Sequence, residues 1–162
     1  MPNPNLPSSA HASSPPSAPA VPATPVGQQT TTSSGSVRLA NAKRGEVYWV
    51  DIPKKHTVGS EQYKRRPFLI VSNNSIHYLK IVIGVPLSLQ TQKTNRQFRI
   101  RVAANEIIMD QGSTLTAGER IALTEQVRCL SILRLEPDRQ AKLTDTAISA
   151  VEAGLGFVMD IG

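Results

Sequence analysis

Apolar positions in this 162-residue chain fall mostly in short runs whose spacing fits strands. The first run, Glu46-Val47-Tyr48-Trp49-Val50-Asp51-Ile52, is closed by Pro53. Pro67-Phe68-Leu69-Ile70-Val71-Ser72 is nearly all apolar, as expected of a strand covered on both faces, and Asn73-Asn74-Ser75 supplies a turn after it. Ile81 to Leu87 reads as a third strand, in which Gly84 and Pro86 predict a bulge, a bend or an edge position. From Gln97 to Val102 the alternation is regular. Phe98, Ile100 and Val102 are expected to face a core, and Gln97, Arg99 and Arg101 the opposite side. A further strand is predicted over about Arg120 to Leu130. Near the end the period changes: Ile148, Val151, Leu155 and Val158 mark one face of a helix, which Gly154 and Gly156 each weaken by about 1 kcal/mol relative to Ala. Several short strands around one core, followed by a helix, predict a mainly β fold built as a small, partly closed barrel.

Composition divides the chain. Residues 1–37 hold no Asp, Glu, Lys or Arg, and eight of the twelve prolines lie in the first 25 positions. So few large apolar side chains cannot offset the entropy of ordering a backbone. Residues 1–41 are therefore expected to form a disordered Pro/Ser/Ala/Thr-rich tail, and 42–162 the folded domain. The tail lacks the basic residues and apolar stretch of a secretory or mitochondrial leader, and no segment is long enough to span a membrane. It carries no chemistry, so a passive extension is the first expectation and a tether the second.

The net charge of +6 then belongs to residues 38–162 and predicts an anionic partner. Nucleic acid is expected ahead of a membrane surface, because no basic amphipathic helix is visible. Cys129 is the single cysteine, which excludes an intrachain disulfide and a thiolate metal cluster and fits a reducing cytoplasm.

Four blocks carry a family resemblance. Arg44-Gly45-Glu46-Val47-Tyr48-Trp49-Val50-Asp51 resembles the opening strand of MazF/PemK toxins. Gly59-Ser60-Glu61-Gln62 through Arg66-Pro67 and on to Ser72 resembles the most recognisable motif of that family. Val85-Pro86-Leu87-Ser88 and Leu123-Thr124-Glu125-Gln126-Val127-Arg128 are similar to its third strand and its late-strand motif. The blocks keep the family's order and gaps over 44–162. The resemblance implies an SH3-like β-barrel with a C-terminal helix, assembled as a homodimer. It also implies a cytoplasmic, metal-independent endoribonuclease that cuts single-stranded mRNA at short sequences and needs no cofactor. An acidic, partly disordered cognate antitoxin is the implied protein partner. Matched by position, Arg66 and Ser88 are the implied catalytic residues, and Glu61 is the acidic residue of the loop motif. Three positions depart from the pattern. Lys64 stands where Gly is usual, Ser88 replaces the commoner Thr, and Ser131 replaces a frequent Asp.

These residue types suit the chemistry. Cleavage by the 2′-hydroxyl of RNA needs help in deprotonating that hydroxyl, in stabilising the phosphorane and in protonating the leaving oxygen. A guanidinium such as Arg66 grips a phosphate through two parallel charge-assisted hydrogen bonds, but it stays protonated and is no base. Glu61 can serve as base if its loop covers the phosphate, and the Ser88 hydroxyl can bond a phosphate oxygen or the 2′-hydroxyl. No His accompanies Ser88 in the motif, which argues against a covalent intermediate. Gln62, Lys64, Arg65, His56, Arg99 and Arg101 are the candidate RNA contacts. His56 and His77 read first as surface histidines and second as an acid–base pair. Glu125, Gln126 and Arg128 read as a structural polar cluster, and Tyr48 and Trp49 as core. The competing reading is a non-catalytic SH3-like module that binds nucleic acid, protein or DNA gyrase. Arg66, Glu61 and the hydroxyl at 88 argue against it.

Overall fold

The computed structural model describes residues 40–89 and 96–161, so the tail expected over 1–41 lies almost wholly outside the described residues. Eight strands and one helix are described. They are β1 (Glu46–Ile52), β2 (Lys64–Ile70), β3 (Ile81–Ser88), β4 (Arg99–Val102), β5 (Ile107–Met109), β6 (Arg120–Leu123), β7 (Arg128–Ser131), β8 (Ala141–Leu143) and α1 (Asp145–Met159). The strands follow the order β4-β6-β3-β2-β1-β8-β5, with β7 also paired to β3, every pairing being antiparallel. The result is a nearly closed β-barrel with a C-terminal helix, the class the apolar pattern predicts.

Strand β3 is the hub. One edge pairs with β2 over Gly84 to Pro86, and the other pairs first with β7 over Ile81 to Gly84 and then with β6 over Leu87 and Ser88. An edge position for Gly84 and Pro86 is thereby excluded. Pro86 falls between the two ladders of the second edge, where its missing N–H breaks no pairing. At Gly84 a Cβ would stand 3.1 Å from the Phe68 ring and 3.3 Å from Leu130, so glycine answers close packing.

The single strand expected over Arg120 to Leu130 is in fact two, β6 and β7, separated by a 3-10 turn at Thr124–Gln126. Buried Thr124 explains the break, because its hydroxyl donates to the Phe98 carbonyl at 2.5 Å instead of leaving the backbone to a ladder. Strand β4 begins only at Arg99, since Gln97 and Phe98 lie in a turn closed by the Arg99 N–H donating to the Arg96 carbonyl. Strands β5 and β8, three residues each, are too short to announce themselves by alternation.

Helix α1 starts at Thr144, whose side chain accepts from the Ala147 N–H, and ends at Asp160 in the left-handed region. Ala147, Ile148, Val151 and Gly154 form its buried face, while Val158, expected to be buried, is 38% exposed because the last turn runs past the barrel. Gly154 is required by contact: a Cβ there would sit 2.8 Å from Ile100.

Two apolar clusters line the two faces of the sheet. Val47, Leu69, Val85, Leu87, Val102, Leu143 and Val151 fill the one under α1. Val50, Phe68, Ile70, Val82 and Leu130 build the other, joined by Tyr48, Ala40 and Ala42. Strand β2 feeds both, as its apolar run predicts, and each fully buried side chain contributes about 1.5–3 kcal/mol. Ala40 and Ala42 are both buried, so the packed unit includes both. His77 fastens this entry segment. Its Nδ1–H donates to the Ala42 carbonyl at 2.9 Å, and its Nε2 accepts from the Ser72 hydroxyl at 2.8 Å. That tautomer follows because a carbonyl can only accept.

Candidate nucleic-acid interface

Strand pairing brings two of the three catalytic candidates, Arg66 and Ser88, together. Phe68 pairs with Pro86 and Leu69 with Val85, so continuing this register two residues beyond the ladder sets Arg66 opposite Ser88. Both line a groove of about 1030 Å³ with Gln62, Lys64, Arg65 and Arg99 along its polar part. Trp49, Pro67, Leu87, Leu89 and Leu123 form an apolar part, and Thr116 and Arg120 complete the lining. Its volume lies at the upper end of typical small-molecule sites, roughly 1,000 Å³.

The groove's cations differ in how far the chain has already neutralised them. Half-buried Arg66 donates from Nε to the Tyr63 carbonyl at 3.0 Å, which pins the guanidinium and leaves it without a carboxylate partner among the described residues. Arg65 grips Glu136 through two bonds of 2.5 and 2.7 Å and lies 4.1 Å over the Trp49 ring. The Glu136 hydrogen bond holds the Arg65 pKa above its ordinary value. Arg99 is paired with Glu125 at 2.7 Å. Lys64 is exposed, its ammonium 5.4 Å from the centre of the Tyr63 ring. Trp49 therefore does more than fill the core: half-buried, it forms groove wall and carries Arg65, with its indole N–H donating to Thr114 at 2.9 Å.

The structure does not bring every candidate into the groove. Glu61 is exposed and turned toward Arg128, with 3.5 Å between them, and accepts from the Val58 N–H at 3.2 Å. His56 is exposed in a 3-10 turn after β1 and does not line the groove. Arg101 is also outside it, paired with Glu119 at 3.3 Å. Of the Glu125, Gln126 and Arg128 cluster, Glu125 holds Arg99, while Gln126 and Arg128 fasten the loop before β2. Gln126 accepts from the Gln62 N–H at 3.2 Å, and Arg128 reaches the Gln62 carbonyl at 3.5 Å.

The departures from the family pattern have local consequences. Lys64 keeps a left-handed backbone, φ 71°, where glycine would carry no penalty; a side chain there costs about 1–2 kcal/mol. Ser131 accepts from the Leu133 N–H and so caps the turn after β7 as an Asp would. Arg120 was not anticipated. A charged residue heading an otherwise apolar run reads as a solvated strand end, yet it is 2% exposed and faces the groove. Among the described residues no group of three or more His, Cys, Asp or Glu could hold a metal ion, and no helix is long and apolar enough to cross a membrane.

A small β-barrel with a cationic groove between β2, β3 and β6 is the class that fold and site define. The family of PemK-like, MazF-like toxins of type II toxin-antitoxin systems matches residues 43–159, and the chain belongs to it. No curated protein matches the sequence. Among solved structures, MazF from Deinococcus radiodurans superposes with TM-score 0.55 at 17% identity, covering 74% of this chain and 96% of that one. An endoribonuclease in complex with its cognate antitoxin, from a mycobacterial species, gives 0.52 at 22%, covering 75% and 97%. Mycobacterium tuberculosis toxin MazF-mt6 gives 0.53 at 12%, covering 72% and 98%. At these identities the likeness is one of fold.

Proposed function

We propose that this chain is a metal-independent endoribonuclease that cuts single-stranded mRNA at short sequences. One observation carries the reading: a pinned guanidinium without a carboxylate partner among the described residues, Arg66, shares a groove with a hydroxyl, Ser88, set opposite it by strand register. The scissile phosphate sits between them. The 2′-oxygen attacks phosphorus, the bond to the 5′-oxygen breaks, and the products are a 2′,3′-cyclic phosphate and a 5′-hydroxyl. Arg66 stabilises the charge on the phosphorane oxygens, and Ser88 bonds one of them or the attacking hydroxyl. Glu61 takes the 2′-proton. To do so it leaves Arg128, an exposed contact at 3.5 Å that costs little to break. Water supplies the proton that the departing 5′-oxygen gains. Gln62, Lys64 and Arg65 extend the anion-binding surface on one side and Arg99 on the other; His56 and Arg101 contact only the strand's outer reaches.

Membership of the toxin family supports a cognate antitoxin as protein partner, an acidic segment that would occupy the same groove. The exposed apolar end of α1, Phe157, Val158 and Met159, with Ile161 just after it, supports assembly as a homodimer. The test is cleavage of a defined single-stranded RNA in excess EDTA by the chain and its Arg66→Ala variant. The wild type is expected to cut, and the variant to lose about 10²–10³-fold in rate. Activity that needs a divalent ion, or that survives removal of Arg66, overturns the reading.

A further inference from the structure

Arg120 opens β6, the strand that pairs with the end of β3, and its neighbour Ile121 is the partner of Ser88. It lines the groove at 2% exposure. One terminal nitrogen donates to the Thr116 carbonyl at 2.5 Å, while Nε is buried with no partner. No carboxylate among the described residues pairs with it; the adjacent Glu119 is committed to Arg101. Arg65 and Arg99, in the same groove, are each neutralised by a glutamate. Arg120 is therefore a desolvated cation on an anion-accepting wall, with an unpartnered Nε–H and no carboxylate among the described residues to balance its charge. Burial pushes its pKa below the ordinary arginine value. Such an arrangement is costly in the free protein and is repaid only when an anion arrives.

We infer that Arg120 is a second phosphate-binding residue, holding a backbone phosphate of the bound strand other than the one between Arg66 and Ser88. The inference rests on the reading of the groove as an RNA site. Two distinct phosphates follow from the geometry. Arg66 and Arg120 stand on strands either side of β3, so their backbones are two strand spacings or about 10 Å apart. Each guanidinium is tied at its own place, one to the Tyr63 carbonyl and the other to the Thr116 carbonyl. A role in binding also explains an arginine that weakens the fold it sits in. The site fits a polynucleotide better than an acidic peptide, because phosphates recur at regular intervals along a groove that already holds Arg66.

The test uses the full chain and a single-stranded RNA that the wild type cuts, made 2′-deoxy at the cut nucleotide so that it binds uncleaved. Dissociation constants are measured across a salt series for wild type, Arg120→Met, Arg66→Met and the double variant. Arg120→Met is expected to bind about tenfold more weakly, with a salt slope shallower by about 0.7, and to melt no lower than wild type. The double variant is expected to lose about 1.4 from the slope, the sum of two separate phosphates. Arg120→Gln, which keeps a donor and drops the charge, is expected to show the same loss of slope. Unchanged affinity and slope in both Arg120 variants overturns the inference while leaving the groove reading intact. So does a double variant no worse than Arg66→Met alone, or a fall in melting temperature in both Arg120 variants. Unchanged RNA binding with weakened binding of polyglutamate overturns it in favour of a peptide. If the wild type itself fails to bind the RNA, the groove reading falls and takes the inference with it.

Discussion

Arg65 lies 4.1 Å over the face of Trp49 while both of its outward bonds go to Glu136. Its charge faces the groove but is already spent inside the chain. Freeing it should therefore tighten binding of an anion. Glu136→Gln is expected to raise affinity for single-stranded RNA several-fold and to steepen the salt dependence by up to about 0.7 in slope, read by fluorescence anisotropy across a salt series. Unchanged affinity would mean that Arg65 serves Trp49 and the fold alone.

Lys64 sets stability against binding. Its left-handed backbone costs about 1–2 kcal/mol; a glycine there removes that cost but loses part of the gain to its freer unfolded chain. Lys64→Gly is expected to raise stability by up to about 1 kcal/mol, measured by denaturant unfolding, while weakening RNA binding through the lost charge. A destabilised variant would show that the ammonium over Tyr63 contributes more than the backbone loses.

The strands that carry the groove were legible where their apolar runs are long. β1 and β3 lie where the pattern put them, and β2 is covered on both faces as its sequence demands. Legibility failed where side chains compete with ladders or where strands shrink to three residues. Thr124 breaks one expected strand in two, and β5 and β8 leave no period to read. At the site, Arg66 and Ser88 were named from motif position, and register explains why two residues 22 positions apart share a groove. Glu61 belongs to the same motif, but a loop side chain's direction is set by Arg128 and Val58, contacts that no spacing encodes. Burial of a lone charge such as Arg120 has no sequence signature beyond an arginine beside an apolar run.

The start of the packed unit makes a separate prediction. Ala40 and Ala42 are buried against Tyr48, Val50 and Leu135, and His77 holds the Ala42 carbonyl. A chain beginning at Ala40 is expected to melt with the full-length protein. One beginning at Lys43 should melt several degrees lower, because it uncovers that cluster and leaves the His77 N–H without its acceptor. Equal melting of the two would show that the entry segment adds nothing.

The most direct test of the central claim replaces one oxygen. In an RNA that the protein cuts, the nucleotide on the 5′ side of the cut is made 2′-deoxy and the products are analysed with EDTA present. Attack by the 2′-hydroxyl predicts no cleavage at that linkage, and a 2′,3′-cyclic phosphate with a 5′-hydroxyl from the all-ribose strand. Cleavage of the deoxy linkage, or a 5′-phosphate product, would contradict it.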